Sequence, residues 1–561
     1  MGIFGSDKEK QHDITEDDNG STEGILSDNK DHLQRHLNNR QIQLIAIGGS
    51  IGTALFVSIG TGLYRGGPGN LLFAFTAQSL VLAMINNCLA EMTVAYPVSG
   101  GFIRLAGHFV DDALGFAVGW NFLLYEALLI PFEVTAFTLV LSFWSAKFAD
   151  PGPIAGVCAA VIICYGLINI LAVGAYGEAE FWLSGGKVLL IFMLFGFVFI
   201  TMVGGNPLGD AYGFRNWTGG QAFRAYSGTG GEGFLAALWS AAFTVVGPEY
   251  ISMVSAEALR PRVYIKAAFK VVYVRFAIFF IGGALAVGIA CPSRDPQLEA
   301  VVTGGSTGDA ASSPYVIAMQ NLMVPVFPHV VNALMLSSIF SAGNTYTYCS
   351  VRNLYGLALE GRAPKFLTYT TRKGVPLYCF GVIMLFPMLA FLQCSSSSAI
   401  VISWLVSLIT AGALIDFFVV SITYIYFHRA CTVQGLDRKQ FAYTARFPLA
   451  CAYFSALWMF LVCMFYGYAI FKPGSLSVTS FFQNYAMQVI IPSLYVGWKI
   501  LKKTKVVDRY AVDLVWERPT IDAYEATFLD PPVGFWKEMI QLIGIKRNKG
   551  GNERRRGSIV A

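Results

Sequence analysis

Glycine interrupts two apolar stretches of this chain, and both interruptions could present backbone polar atoms to a solute. The first stretch contains Gly48, Gly49 and Gly52, and the second contains Gly247 followed by Pro248. A break in a helix leaves N–H and C=O groups without their intrahelical partners. At membrane depth such groups are tolerated only where protein or a water-filled cavity supplies partners. We therefore expect a polar solute to bind where the two interruptions meet.

Ionisable side chains inside apolar stretches are the second chemical feature. A charged lysine within a bilayer costs at least about 3 kcal/mol unless it is paired or hydrated, and Lys187 has no adjacent acid. We therefore expect Lys187 to bind and release a proton. Glu126 and Glu133 are nearly two helical turns apart, so they face one side of a helix about 10 Å from each other. Glu249 follows the second interruption, where it would cap the restarted helix or take part in proton coupling.

These residues also have plainer interpretations, which the sequence leaves open. Lys187 lies about six residues into its apolar run and could extend its amine to the membrane interface. The glutamates could form hydrogen bonds between helices. Asp416 is a further acid within an apolar run, and its role stays open.

Long apolar runs provide the elements that must position these side chains. The chain has 561 residues, of which 55% are hydrophobic and 13% are charged. A typical soluble protein carries about twice that charge, and about 20 apolar residues suffice to cross a bilayer as a helix. The sequence predicts an all-α integral membrane protein with about twelve such helices. They lie near 42–64, 70–95, 114–145, 153–173, 182–204, 234–257, 271–291, 327–350, 376–394, 400–427, 448–470 and 480–502.

Two polar tails flank the predicted membrane domain of residues 41–502. Residues 1–40 are acidic and lack the apolar core of a signal peptide, so we expect a disordered tail. Residues 503–561 form the second tail. Basic residues concentrate in the loops after the sixth, eighth and tenth runs, which places both termini in the cytoplasm.

Several other function classes lack support in the sequence. No cysteine and histidine cluster has the spacing of a metal site. No nucleophile elbow, P-loop or dinucleotide-binding motif is present. The net charge of +5 comes from residues in spans and short loops rather than from a basic stripe. We therefore expect no enzyme activity, no cofactor, no metal and no nucleic-acid partner, and we expect the lipid bilayer as surroundings.

Three motifs identify a family resemblance. Residues 48–57, Gly-Gly-Ser-Ile-Gly-Thr-Ala-Leu-Phe-Val, resemble the first-helix signature of fungal amino-acid permeases, which belong to the amino acid–polyamine–organocation superfamily. Residues 243–249, Phe-Thr-Val-Val-Gly-Pro-Glu, resemble the family's sixth-helix motif, and residues 256–262 resemble the segment that follows it. Residues 341–366 are similar to a third signature, and the three occur in the family's order. Ala54 and Leu259 depart from the pattern, where glycine and asparagine are usual.

The resemblance implies a leucine-transporter-type core. In that fold, spans 1–5 and 6–10 form inverted repeats, and two extra helices follow. Interrupted helices at matching positions of such repeats form the substrate site. The implied substrate is an amino acid, carried together with protons.

An amino-acid zwitterion suits the two interruptions. The half-helix that restarts after the first one presents free N–H groups and the positive end of its dipole to a carboxylate. We name this group the carboxylate cradle: the N–H groups of Gly52, Thr53 and Ala54 with the hydroxyls of Ser50 and Thr53. A contact between helices through small residues is the alternative.

The second interruption would supply acceptors to the ammonium group, because its carbonyls lack helical partners. Phe243 would cover the ligand as an apolar lid, unless it packs only in the core. The residues expected on this side are Ala242, Phe243, Thr244, Val246 and Gly247.

The resemblance also assigns roles to two ionisable residues. In proton-coupled relatives a lysine of the fifth span occupies the place of a sodium ion beside the first helix, and Lys187 matches it. Glu133 resembles the glutamate of the third span that lines the site. The proton-coupling residues expected are Lys187, Glu133, Glu249 and Glu126.

The sequence therefore predicts an amino-acid importer of a fungal plasma membrane, driven by proton symport with alternating access. An amino-acid exchanger and an amino-acid-sensing receptor with little transport are the alternatives. The sequence leaves open which amino acid is carried. As in the family, lysines of the first tail could accept ubiquitin, and these are Lys8, Lys10 and Lys30.

Overall fold

The computed structural model describes residues 35, 37–528, 531, 532 and 534, except for 172, 226–229, 304–312, 372–374, 397 and 473–475. Within this part the protein is helical, apart from an isolated parallel bridge between Leu37 and Ala258. The predicted helical class is confirmed. Residues 1–34, which include the expected ubiquitin acceptors, lie outside the described residues.

The α-helices of the described part are named here in chain order. They are α1 (Asn39–Ser50), α2 (Ile59–Ala95), α3 (Gly101–Phe109), α4 (Asp112–Leu141), α5 (Pro151–Leu171), α6 (Val173–Met202), α7 (Gly230–Thr244), α8 (Pro248–Met253), α9 (Pro261–Arg275), α10 (Gly282–Ala290), α11 (Pro296–Thr303), α12 (Pro314–Asn321), α13 (Phe327–Leu359), α14 (Leu377–Ile383), α15 (Ser398–Val433), α16 (Pro448–Phe465), α17 (Val478–Lys502) and α18 (Arg518–Ala526). Short π-helical segments at Ala54–Ser58 and Phe276–Ile281 precede α2 and α10, and a 3₁₀ segment at Phe386–Cys394 follows α14.

Nine helices of the described part are long and apolar enough to cross a membrane. The predicted number of about twelve is therefore not confirmed. One reason is that Ala54–Ala95 counts as a single helix, although Gly67, at φ 77°, sharply kinks it before Pro68. Glycine tolerates this φ and proline cannot continue the hydrogen-bond ladder. Another reason is that α13 and α17 are long but are not among the nine helices that are apolar enough to cross.

Both glycine interruptions are present. Helix α1 ends at Ser50, and Ile51 and Gly52 are non-helical before the chain turns helical again. Helix α7 ends at Thr244, and α8 begins at Pro248. Gly247 between them has φ 136°, a conformation that side chains rarely adopt.

Helix α4 forms the centre of the bundle. It packs against α3, α13, α15 and α17, and its apolar residues are distributed all around it rather than along one face. A helix that is apolar on every side is one that is buried on every side. This position carries Glu126 and Glu133 into the protein interior, where both are almost completely buried.

Candidate functional site

A small cavity lies between the two interruptions. Gly52 and Ala54 line it from the first interruption, and Phe243, Thr244 and Val246 line it from the second. The remaining wall comes from α4, α13 and α15. Those helices contribute Tyr125, Leu129, Phe132, Glu133, Tyr346 and Ile409.

The structure brings together most of the residues expected at the site. Ala242 and Gly247 are exceptions, since both are buried next to the cavity but do not line it. Thr53 lies behind the cavity wall, where it contacts Glu133. Ser50 ends α1, and its side chain lies outside the described part of the chain.

A hydrogen bond of Glu133 connects α4 to the restarted part of the first interrupted helix. Thr53 Oγ1 donates a hydrogen bond to Glu133 Oε2 at 2.5 Å, and both side chains are buried. A hydroxyl has one proton to donate, so Thr53 has none left for a substrate carboxylate. The Thr53 N–H is also a donor to Glu133, so Glu133 takes both donors that Thr53 would bring to the carboxylate cradle.

Gly52 leaves the space that Glu133 occupies. A Cβ atom at position 52 would lie 2.7 Å from Glu133 Oε1, and the next nearest atom would be the Ala342 Cβ at 3.4 Å. Real Cβ atoms essentially never come as close as the first of these distances. A side chain at position 52 would therefore require the Glu133 carboxylate to shift.

Lys187 lies inside the protein, on a helix that packs against α1. Only 1% of its surface is exposed, so its amine does not extend to the outside of the protein. Its charge interacts with that of Glu133. The lysine, the glutamate and Thr53 thus form one electrostatic unit beside the cavity.

Glu249 caps the second interruption. The Gly247 N–H donates to both carboxylate oxygens of Glu249, at 3.2 Å to Oε1 and 3.0 Å to Oε2. Carboxylates are favourable at a helix N-terminus. The sequence left open whether Glu249 caps the restarted helix or takes part in proton coupling, and this geometry favours capping.

Arg275 faces Glu249 and was missed in the sequence. It is 95% buried, since 5% of its surface is exposed, and its charge interacts with that of Glu249. None of its guanidinium nitrogens has a hydrogen-bond partner among the described residues. A charged residue inside the predicted run 271–291 was the signal that could have revealed it.

Glu126 and Asp416 do not line the cavity, and Glu126 interacts electrostatically with Asp416 and Glu249. Tyr250 stands beside Glu126 and Asn121 beside Asp416, but the described residues give neither carboxylate a hydrogen bond of normal geometry. Isolated carboxylates are costly to bury in ionised form. Glu126 and Glu133 both interact electrostatically with Tyr346, which lines the cavity.

A larger cavity, here named the vestibule, borders the same region. Its walls include Arg65, Trp239 and Tyr466, and it reaches Thr53 and Phe243. Phe243 lines both cavities, and its ring packs edge to face against Phe132 with centroids 5.2 Å apart. The Phe243 ring thus separates the vestibule from the smaller cavity.

Comparison with known proteins gives the family. Residues 41–509 match the sequence profile described as "Amino acid permease". The general amino acid permease AGP2 of Saccharomyces cerevisiae is 43% identical over 486 residues, which cover 84% of this chain and 79% of the relative. The dicarboxylic amino acid permease of the same yeast is 36% identical over 89% of this chain and 82% of its own length. The proline-specific permease of Emericella nidulans is 35% identical over 87% of this chain and 89% of its own length.

The chain belongs to the amino acid permease family. It is a multi-pass membrane protein that transports amino acids, as the sequence predicted. The family resemblance and the all-α membrane fold are thereby confirmed.

Proposed function

We propose that the protein imports amino acids across a fungal plasma membrane by proton symport with alternating access. The observation that supports this most is the cavity between the two interrupted helices, with Glu133 in its wall and Lys187 in electrostatic contact with that glutamate. In this proposal residues 41–502 form the transport domain. The tails 1–40 and 503–561 are then both cytoplasmic.

The substrate lies across the cavity with its carboxylate at the backbone N–H groups of Gly52 and Ala54, which line it. Its ammonium group lies at the unpaired carbonyls around Phe243 and Thr244. Both interruptions line the cavity, so one zwitterion can reach both. Charge-assisted hydrogen bonds of this kind are stronger than neutral ones.

We further propose that the substrate side chain is neutral. The described lining of the cavity contains aromatic and aliphatic side chains, one threonine and one acid, Glu133. The described lining holds no basic side chain that would pair with an acidic one, and burying an unpaired charge is costly. The dicarboxylic permease is a relative, so competition by glutamate against leucine tests this point directly.

Coupling works through Lys187 and Glu133. A proton gained or lost by either residue changes the charge of the unit that holds Thr53 at the start of the restarted helix. If proton and substrate stabilise the same occluded state, each raises the affinity for the other, because linkage is reciprocal. Glu249 and Glu126 are the next proton candidates if this unit does not titrate.

The test compares two modes of transport in vesicles. Lys187→Met keeps a side chain of similar length without the titratable amine, so uphill accumulation driven by a proton gradient should be lost. Counterflow of labelled amino acid against unlabelled amino acid needs no net proton movement and should persist. The matched control is Lys365→Met, which replaces an exposed lysine and should leave both modes intact.

Three other results would overturn parts of the proposal. Uphill accumulation by Lys187→Met with an unchanged pH profile would make the lysine structural. Wild-type counterflow without any gradient-driven uptake would identify an exchanger. Saturable binding without either mode would identify a receptor.

A further inference from the structure

The chain folds back onto one end of the bundle after its last long helix, α17. Val507 N–H donates to the Val110 carbonyl at 2.8 Å, and Gln434 Nε2 donates to the Val512 carbonyl at 2.8 Å. Val512 and Leu514 are buried. Residues 506–528, here named the latch segment, are thus packed against the membrane domain.

Helix α3 and the end of α2 hold the middle of the latch segment. Tyr96 donates its hydroxyl hydrogen to the Leu514 carbonyl at 2.8 Å. The His108 ring stacks on Trp516 with centroids 4.0 Å apart and an interplanar angle of 7°. Arg104 pairs with Glu517 at 3.0 Å, and both side chains are partly exposed.

The α8–α9 connection and the first turn of α9 hold the end of the latch segment. The Arg262 N–H donates to Glu525 Oε1 at 2.9 Å, and the Arg262 guanidinium pairs with Asp522 at 2.5 Å. Arg260 also approaches Glu525, at 3.8 Å. These contacts fix α18 across the segment that follows the second interrupted helix.

The segment before α1 joins the same assembly. Leu37 N–H donates to the Glu257 carbonyl at 2.9 Å, and Leu259 N–H donates to the Leu37 carbonyl at 3.0 Å. The Arg35 guanidinium lies over the Tyr524 ring of α18, 4.3 Å from its centroid. Backbone bonds and the latch segment therefore connect the beginning of α1 to the α8–α9 connection.

This end of the bundle lies opposite the vestibule. Residues 68–95 of α2 run from the kink at Gly67, near the Arg65 wall of the vestibule, towards Tyr96 at the latch segment. At 1.5 Å per residue this helix covers roughly 40 Å. The vestibule is lined by Thr53 and by residues that follow the interruption of the first helix. The latch segment instead contacts Arg35, which precedes α1.

We infer that the latch segment holds α1 and the α8–α9 connection together and so restrains opening at the end of the bundle opposite the vestibule. The inference rests on the alternating-access part of the proposed function. A solute can leave at this end only if the two interrupted helices separate there, and the contacts above oppose that separation. Release of the latch segment shifts the population towards the state that is open at this end.

The direct test measures opening without measuring transport. Gln43 lies on α1 and is 93% buried, with 7% of its surface exposed. Gln43→Cys provides a thiol that reacts with a membrane-impermeant maleimide in inside-out vesicles only when α1 moves. The protein without this substitution reports the background from its 10 native cysteines.

Charge reversal of one ion pair then releases the latch segment. Arg104→Glu and Glu517→Arg should each raise the labelling rate at position 43 about two- to fivefold, the range expected for one partly exposed ion pair. The double variant should restore the slow rate, because it re-forms the pair with reversed polarity. Arg215→Glu, which breaks the exposed pair with Asp210, is the matched control and should leave labelling unchanged.

Transport provides a second readout. The single reversals should speed efflux of preloaded amino acid by a similar factor. Ending the chain after Val506 should raise labelling at least as much. The inference would be overturned if both single variants were labelled at the wild-type rate when equal amounts of protein are present at the surface. It would also be overturned if the double variant were labelled no more slowly than the single variants.

Failure of the proposed function has a different signature. If wild-type uptake ignores the proton gradient, proton symport is refuted, but the labelling comparison still reports on the latch segment. If labelling is insensitive to charge reversal while uptake remains proton-driven, only the latch is refuted.

Discussion

Gly52→Ala is the smallest change that tests the geometry of the site. The added Cβ would lie 2.7 Å from Glu133 Oε1, so Glu133 must move. The displaced carboxylate loses its hydrogen bond from Thr53, which is 2.5 Å long and buried. Hydrogen bonds to charged groups contribute about 1.5–3 kcal/mol. At 1.36 kcal/mol per factor of ten, uptake efficiency (Vmax/KM) should fall about 10- to 100-fold.

The assay is uptake of a labelled amino acid in a yeast strain without its own permeases, normalised to the amount of protein at the cell surface. Gly52→Val places two further methyl groups in the same space and should abolish uptake. Gly196→Ala is the matched control, because its Cβ would meet nothing within 4 Å and alanine favours a helix over glycine. That variant should transport like wild type.

A second substitution separates a clash with Glu133 from general damage. Glu133→Asp shortens the side chain by one methylene group, which makes room for the Cβ at position 52. The double variant Gly52→Ala/Glu133→Asp should therefore transport better than the product of the two single effects predicts, since contacting residues are coupled. Strict additivity, or wild-type uptake by Gly52→Ala, would refute the close approach of Gly52 and Glu133 as the reason for the glycine.

Three further predictions concern the substrate, the lid and the latch segment. Amino-acid methyl esters should compete poorly with the parent amino acid in uptake, because an ester offers the N–H groups an uncharged acceptor; equal competition would point to a cation carrier. Phe243→Ala removes the ring between the two cavities, so substrate dissociation towards the vestibule should accelerate more than uptake slows. An unchanged rate of substrate dissociation would mean that Phe243 serves only in packing. Burial lowers the pKa of His108, and the charge of Arg104 lowers it further, whereas Asp513 and Glu517 act in the opposite direction. Because the latched state disfavours the protonated ring, it loses stability as pH falls below the ordinary histidine value of about 6.5. Labelling of Gln43→Cys should rise on acidifying the latch side, and His108→Gln should remove that pH dependence.

The local features of the site were readable in the sequence because they depend on few neighbours. Gly52 and Gly247 interrupt apolar runs, and both interruptions occur where the glycines predict them. Lys187 stood out as a lone cation in such a run. The sequence could not show which way the Lys187 side chain points, because its burial against α1 depends on how α6 is rotated about its axis. The structure buries it beside Glu133.

Contacts between distant residues could not be predicted. The hydrogen bond from Thr53 to Glu133 joins residues 80 positions apart and exists because α4 occupies the centre of the bundle. Arg275 was overlooked because a cation near the edge of an apolar run usually lies at the interface, whereas here its neighbours bury it. The latch segment was expected only as a polar tail, because Val512, Leu514 and Trp516 are too few to give a periodic signal.

The two ends of the bundle are closed by different chemistry, and this difference determines what each end responds to. On the vestibule side the barrier is the ring of Phe243 packed against Phe132, an apolar contact that neither pH nor salt alters directly. On the opposite side the barrier includes ion pairs at the protein surface, such as Arg104 with Glu517. Salt screens such pairs, and acid disfavours the His108 stack. Ionic conditions on the latch side should therefore change the rate of opening at that end and leave substrate entry through the vestibule unaffected.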